Sequence, residues 1–243
     1  FGFRAPLLSG NGAGVFNYSY LQGEAININK LGKLEVRTRG FARYGMGNII
    51  PSESALYAAG ASPEEMMDNK YTRTVGFVPN DCRTYSSTEM NHFHQGGGLN
   101  LRGFAGYLIA EQVGNQVLVG YKARSGAAAN IEIDFDELIK FRPKFARNWL
   151  KADIYLFGDA GITQLSAIPS VAQYWQTQPT TEWSDLRMDA GLGCALTVKK
   201  FGIFDKAKPL TLRFDMPLVV NRPPFANPDY LGFRYVVGVN RSF

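Results

Sequence analysis

The side chains of this sequence that could do chemistry fall into a few groups, and most stand too far apart to act together. His92-Phe93-His94 carries the only histidines of the chain, and two imidazoles in this setting do not make up an evident metal-ligand set. Loop histidines are expected there. Cys82 and Cys194 are far apart in different surroundings, which argues against a disulfide framework or a thiolate metal site. Gly10-Asn11-Gly12-Ala13-Gly14 has the glycines of a phosphate loop but neither the strand before nor the helix after, so it reads as a turn. There is no Gly-x-Ser-x-Gly elbow and no His-Glu-x-x-His pair. The carboxylates within 132–137 do not divide into an acid and a base, because nothing sets their environments apart. No catalytic residue, metal site or cofactor is expected in the chain. What remains is Arg102, within Leu101-Arg102-Gly103-Phe104, and Asp159. A guanidinium withdrawn from water needs a carboxylate, and the two can join through paired hydrogen bonds of fixed geometry. That chemistry locks a structure.

The elements that must position such a pair are legible as period-2 alternation. Leu34, Val36, Thr38, Ala42, Tyr44 and Met46 share one parity, against Glu35, Arg37, Arg39, Phe41 and Arg43 on the other. Leu150, Ala152, Ile154 and Leu156 stand against Lys151, Asp153, Tyr155, Phe157 and Asp159. Leu186, Met188, Ala190, Leu192, Cys194, Leu196 and Val198 oppose Arg187 and Asp189; Leu210, Leu212, Phe214, Met216 and Leu218 oppose Arg213 and Asp215. A final strand carries Leu231, Phe233, Tyr235, Val237, Val239 and Phe243 against Arg234, Asn240 and Ser242. Strands are therefore predicted at about 14–28, 33–48, 127–139, 149–160, 185–198, 209–218 and 231–243, with Asn29-Lys30-Leu31-Gly32 as the first turn. Residues 49–126 read as a long loop holding a short helix at Ser62-Pro63-Glu64-Glu65, and 162–184 as an exposed loop.

The 243 residues are 45% hydrophobic and 13% aromatic, too apolar for a disordered chain. Apolar runs are short, so a helical membrane span is excluded; membrane-crossing strands of about 9–11 alternating residues are not. The net charge of +5 is dispersed among apolar residues, so nucleic acid is not an expected partner. Alternation is compatible with a soluble sandwich with apolar faces inward. The length of the strands and the recurrence of mixed charge on one face favour a transmembrane antiparallel β-barrel with a polar lumen.

The ordered set of motifs resembles the BamA, TamA and two-partner-secretion transporter superfamily of outer-membrane proteins. Leu101-Arg102-Gly103-Phe104 is similar to the signature on the family's inward-folded sixth extracellular loop. Phe157-Gly158-Asp159-Ala160-Gly161 resembles the strand that receives that loop. Ala190-Gly191-Leu192-Gly193 and Pro209-Leu210-Thr211-Leu212-Arg213-Phe214-Asp215-Met216-Pro217-Leu218 resemble the strands that follow. The likeness covers about 33–243 and implies an all-β fold: the C-terminal strands of a barrel of about sixteen. It implies a lock between Arg102 and Asp159, with Gly161 beside it and a second acid on the preceding strand. Motif position selects Glu137 for that acid, whereas alternation with Ile131, Ile133 and Phe135 turns Asp136 inward; a β-bulge would reconcile them.

The resemblance further implies a bacterial outer-membrane location and a role in inserting outer-membrane proteins or exporting polypeptides. The implied partners are membrane lipid, client polypeptides and accessory lipoproteins or other outer-membrane subunits. Phe233, Tyr235, Val237, Val239 and Phe243 would form the apolar C-terminal assembly signal. Some members fuse the barrel to a patatin-like lipase or a peptidase, which makes an anchor or exit for an enzyme the alternative, and a soluble β-protein a weaker one. Since roughly seven strands fall short of a closed barrel, and Phe1 is neither an initiator nor the start of a leader, further strands and a periplasmic region are expected upstream.

Overall fold

The structure is a computed structural model that describes residues 2–4, 17–62, 64–65, 93–94, 97–135, 149–168, 176–198, 210–223 and 229–239. Its strands of three residues or more are β1 (Gly2–Arg4), β2 (Asn17–Leu31), β3 (Leu34–Pro51), β4 (Ala110–Val113), β5 (Gln116–Val119), β6 (Gly126–Asp134), β7 (Leu150–Ala167), β8 (Pro179–Trp183), β9 (Arg187–Val198), β10 (Leu210–Val220) and β11 (Val236–Val239). The fold is all-β, and one large sheet runs in the order β1-β2-β3-β6-β7-β9-β10-β11 with each of these neighbouring pairs antiparallel, and Phe93–His94 add in parallel on the far side of β11. Among the described residues its two edges do not meet.

The strands follow the alternation but differ from it at their ends. The first turn lies at Gly32-Lys33, not 29–32: Leu31 pairs with Leu34, and Gly32 sits at φ +66°, which a two-residue hairpin needs and which costs glycine little. Among its described residues, the expected exposed loop at 162–184 is largely sheet. β7 runs on to Ala167, β8 pairs against Gln164 and Ser166, and Gln176–Thr177 pair with Pro51 and Ile50. Thr163, Leu165 and Ser166 are buried there, and their mixed polarity hid the strand from a period-2 reading. β6 is described as far as Asp134. In β10 an extra residue, Leu218, lies between the Gly191–Pro217 and Ala190–Val219 pairs; the bulge reverses the parity, so Val219 points out and Val220 is buried. The last strand begins at Val236 rather than 231 and is described as far as Val239, with Leu231 held to Val219 by a single bridge.

The sheet is inverted relative to a soluble sandwich. On one face Arg39, Arg43, Glu132, Asp159, Asp189, Arg213 and Asp215 are buried. On the other Tyr44, Met46, Ile131, Leu156, Met188, Leu192, Leu212 and Phe214 are exposed. What buries the charged face is the segment after β3. Leu56 and Tyr57 pair with Ala123 and Lys122, β4 and β5 form a hairpin, and β5 adds to the end of β7. Leu56, Ala58, Leu99, Leu101, Phe104 and Ile109 pack with Phe41, Ala128 and Val220 of the sheet. Burying Leu101 or Phe104 contributes roughly 1.5–3 kcal/mol each. At the expected helix start, Ser62 and Glu65 bond reciprocally: the Glu65 amide donates to Ser62 Oγ at 3.2 Å and the Ser62 amide to Glu65 Oε2 at 2.8 Å. That is a capping box, and Glu64 and Glu65 adopt helical backbone. Cys82 and Gly10–Gly14 lie outside the described residues, as does His92.

Candidate functional site

Leu101-Arg102-Gly103-Phe104 sits at the centre of the buried face. Gly97 and Gly98 enter it with φ of +130° and +54°; a Cβ on Gly98 would lie 2.3 Å from the Tyr57 carbonyl oxygen, so only glycine permits the approach. The Leu99 amide donates to Tyr57 and the Leu101 amide to Ala58, which ties the turn to the neighbouring loop strand. Arg102–Phe104 then form a 3-10 turn, whose tight winding turns the Arg102 side chain down onto the sheet.

Arg102 is fully enclosed. Its Nε donates to Asp159 Oδ2 and its Nη2 to Asp159 Oδ1, both at 2.8 Å, and its backbone amide adds a contact to Oδ2 at 3.3 Å. Nη1 donates to Glu132 Oε1 at 2.7 Å and lies 3.8 Å from Asp215 Oδ2. The guanidinium stacks over the Phe157 ring at 3.8 Å from its centroid. Burial works to lower the pKa of Arg102, but Asp159, Asp215 and Glu132 outweigh it and hold the guanidinium charged well above its ordinary range.

The carboxylates are themselves held. Asn130 donates to Asp159 Oδ1 at 2.9 Å and to the Asn100 carbonyl at 3.2 Å, and accepts from Arg39 at 2.9 Å. Arg39 also donates to the Gly98 carbonyl at 2.9 Å, so strand and loop are stitched twice. Glu132 accepts from Arg213 as well as Arg102. Arg213 Nε donates to the Tyr155 hydroxyl at 2.8 Å, and that hydroxyl donates to Asp215. Tyr155 of β7 reaches β10 across β9 because its partner there is Gly193, where a Cβ would lie 2.1 Å from the ring. The absent side chain is a slot for the tyrosine.

The structure brings together Arg102, Asp159, Gly161, Gly103, Leu101 and Phe104. A Cβ on Gly161 would lie 3.1 Å from Leu101 Cδ2, and one on Gly103 would lie 2.5 Å from Asp189 Cβ and 2.8 Å from Val220 Cγ1. Phe104 is buried beneath the Arg187 guanidinium, 5.6 Å from its ring centroid. Asp136 and Glu137 lie outside the described residues. The second acid on Arg102 is Glu132, which shares the inward parity of Asp136 and stands opposite Phe157 in the ladder, one inward position from Asp159. Alternation carried back from Asp136 reaches Asp134 and then Glu132, and the register against β7 selects Glu132.

Phe233 and Tyr235 are exposed on the outer face, where Tyr235 stacks on Phe214 at 5.9 Å, and Val237 and Val239 pair with Phe214 and Leu212. Phe243 lies outside the described residues. At the covering loop's far side, Lys122 faces the Tyr57 and Tyr121 rings at 5.6 Å and 5.3 Å; burial, only partly opposed by Glu53, pushes its ammonium down to about 8.

The site can therefore hold a loop against a sheet. Its guanidinium is spent on two carboxylates, and its tyrosine is fixed between Arg213 and Asp215. No family model, no curated protein and no solved structure matches this chain, so the geometry around Arg102 is what its function must be read from.

Proposed function

We propose that this chain forms strands of a transmembrane β-barrel in the outer membrane of a bacterium, of the BamA-like kind, and that the barrel inserts outer-membrane proteins or moves polypeptides across that membrane. The observation that carries the reading is the inversion of the sheet: a charged face buried under its own loop and an apolar face left outside. In water that arrangement exposes Leu156, Ile131, Leu192 and Phe214 at a cost, whereas against lipid the same residues are satisfied and the polar face belongs to a lumen. β3 and β7, each 18 residues long, exceed the about 9–11 residues that a tilted strand needs to cross the hydrocarbon. Arg102, held by Asp159 and Glu132, braces the wall from within.

No cofactor enters this mechanism. An unpaired strand edge cannot remain in hydrocarbon, so an incompletely closed seam offers its backbone groups to an incoming strand. Lipid and client polypeptides are the partners, with accessory lipoproteins or other outer-membrane subunits beside them. Reconstitution tests the reading. The chain should float with phospholipid vesicles, resist alkaline washing and require detergent for release; a monodisperse protein in detergent-free buffer would overturn it.

A further inference from the structure

The β4–β5 hairpin, set over the rim of the sheet, has one strand paired and one strand edge open. β5 lies between β4 and the end of β7, while β4 pairs only with β5 among the described residues. The hairpin closes through the two-residue turn Gly114-Asn115, with Gly114 at φ +60° and Val113 opposite Gln116. In such a hairpin the residues flanking the turn exchange both hydrogen bonds, and the pairs then alternate. Val113 and Glu111 thus turn their backbone groups toward β5. Ala110 and Gln112 turn theirs away from it, and no other backbone partner takes them among the described residues.

That outer edge borders a polar trough of about 620 Å³, whose far wall includes Arg187, Asn221, Arg222 and Tyr230. Arg187 is buried, and its Nε has no hydrogen-bond partner among the described residues although Nη2 is paired with Glu111. Arg222 is paired with Asp185. The two ion pairs balance, so the trough selects no charge. What it offers is a spaced set of backbone donors and acceptors along β4.

We propose that the β4 edge is a docking site for an extended polypeptide segment, which adds as a strand to Ala110–Val113 through the outward backbone groups of Ala110 and Gln112. Backbone pairing supplies the affinity and the balanced walls make it tolerant of side-chain sequence. The edge spans about 13 Å, enough for a short segment. The inference rests on the hairpin and the trough, and it stands whether or not the sheet faces lipid.

The test is amide hydrogen exchange on the full chain in detergent micelles, with acetyl-Lys-Thr-Val-Thr-Val-Thr-Lys-amide as probe. The Ala110 and Gln112 amides should exchange about tenfold more slowly with the peptide at saturation. The same peptide N-methylated at alternate residues on its pairing side should give no protection, a control that leaves the protein unaltered. Gln112→Pro removes one outward N–H at an edge position that tolerates proline, and should weaken binding about tenfold while Val113 and Gln116 stay protected. Equal protection by the methylated peptide, unchanged binding by Gln112→Pro, or no protection at millimolar probe would each overturn the proposal. Failure to float with vesicles would instead count against the barrel reading alone.

Discussion

Asp159 binds both the side chain and the backbone amide of Arg102, so one carboxylate fixes the guanidinium and the turn that carries it. Removing the acid leaves a buried charge. Asp159→Ala should cost about 3–5 kcal/mol of stability, and Arg102→Lys should lose much of the same because an ammonium cannot make the paired contact. The double change Arg102→Ala with Asp159→Ala should be milder than the sum. Thermal unfolding in detergent, followed by the electrophoretic shift of the heated chain, reads all of these; strict additivity would show the pair to be uncoupled.

Gly103 has no room for a methyl group. Gly103→Ala would drive a Cβ to within 2.5 Å of Asp189 Cβ and 2.8 Å of Val220 Cγ1, and the loop should lift from the sheet. Limited proteolysis between residues 97 and 125 should then be faster, and Val220→Ala should restore part of the protection.

The slot at Gly193 makes a second steric prediction. Gly193→Ala displaces the Tyr155 ring, and with it the hydroxyl that accepts from Arg213 and donates to Asp215. Tyr155→Phe keeps the ring and removes only the hydroxyl, which should cost about 1–3 kcal/mol through the polar groups left unpaired. If Gly193→Ala proves the milder of the two by thermal unfolding, the slot is not what places the tyrosine.

On the outer face, Leu156→Lys puts a charge where the barrel reading requires lipid. It should lower membrane insertion by about 2–4 kcal/mol if Leu156 lies near the bilayer centre. Vesicle flotation measures this, with Lys151 as an existing inward-parity lysine for comparison.

Lys122 supplies the pH dependence. Its folded pKa is lowered from 10.5 to about 8, so below about pH 8 both folded and unfolded chains hold the proton and the folded state carries the burial penalty. As the pH rises from about 8 to 10.5 the folded state gives up the proton first, the unfolded state binds more, and stability should climb. Unfolding midpoints on either side of that window measure it. Lys122→Met should flatten the slope and raise the midpoint at neutral pH.

Much of this arrangement was legible in the sequence because alternation is a local signal: the parity of Asp159, Arg213 and Asp215 follows from their apolar neighbours alone. Arg102 and Asp159 were visible because a guanidinium out of water demands an acid. Glu132 was obscured, since three carboxylates of a single parity, Glu132, Asp134 and Asp136, differ only in how far the strand slides against β7, and register is a tertiary quantity. Residues 162–167 were hidden for another reason. Thr163, Gln164, Leu165 and Ser166 are all buried, covered by the hairpin on one side and by β8 at its edge, and a segment covered in this way has no period to read. The bulge at Leu218 is likewise silent in composition.

The hydrogen bond from Arg213 to Tyr155 joins strands that are not neighbours, passing over β9 at Gly193. Two strand spacings of about 4.8 Å each separate those backbones along the sheet, and the tyrosine spans them because nothing projects from Gly193. A bond that skips a strand ties β7 to β10 independently of the ladder bonds that β9 makes to each. The three strands should therefore hold or part as one unit, and a break in either ladder alone would not free β10 from β7.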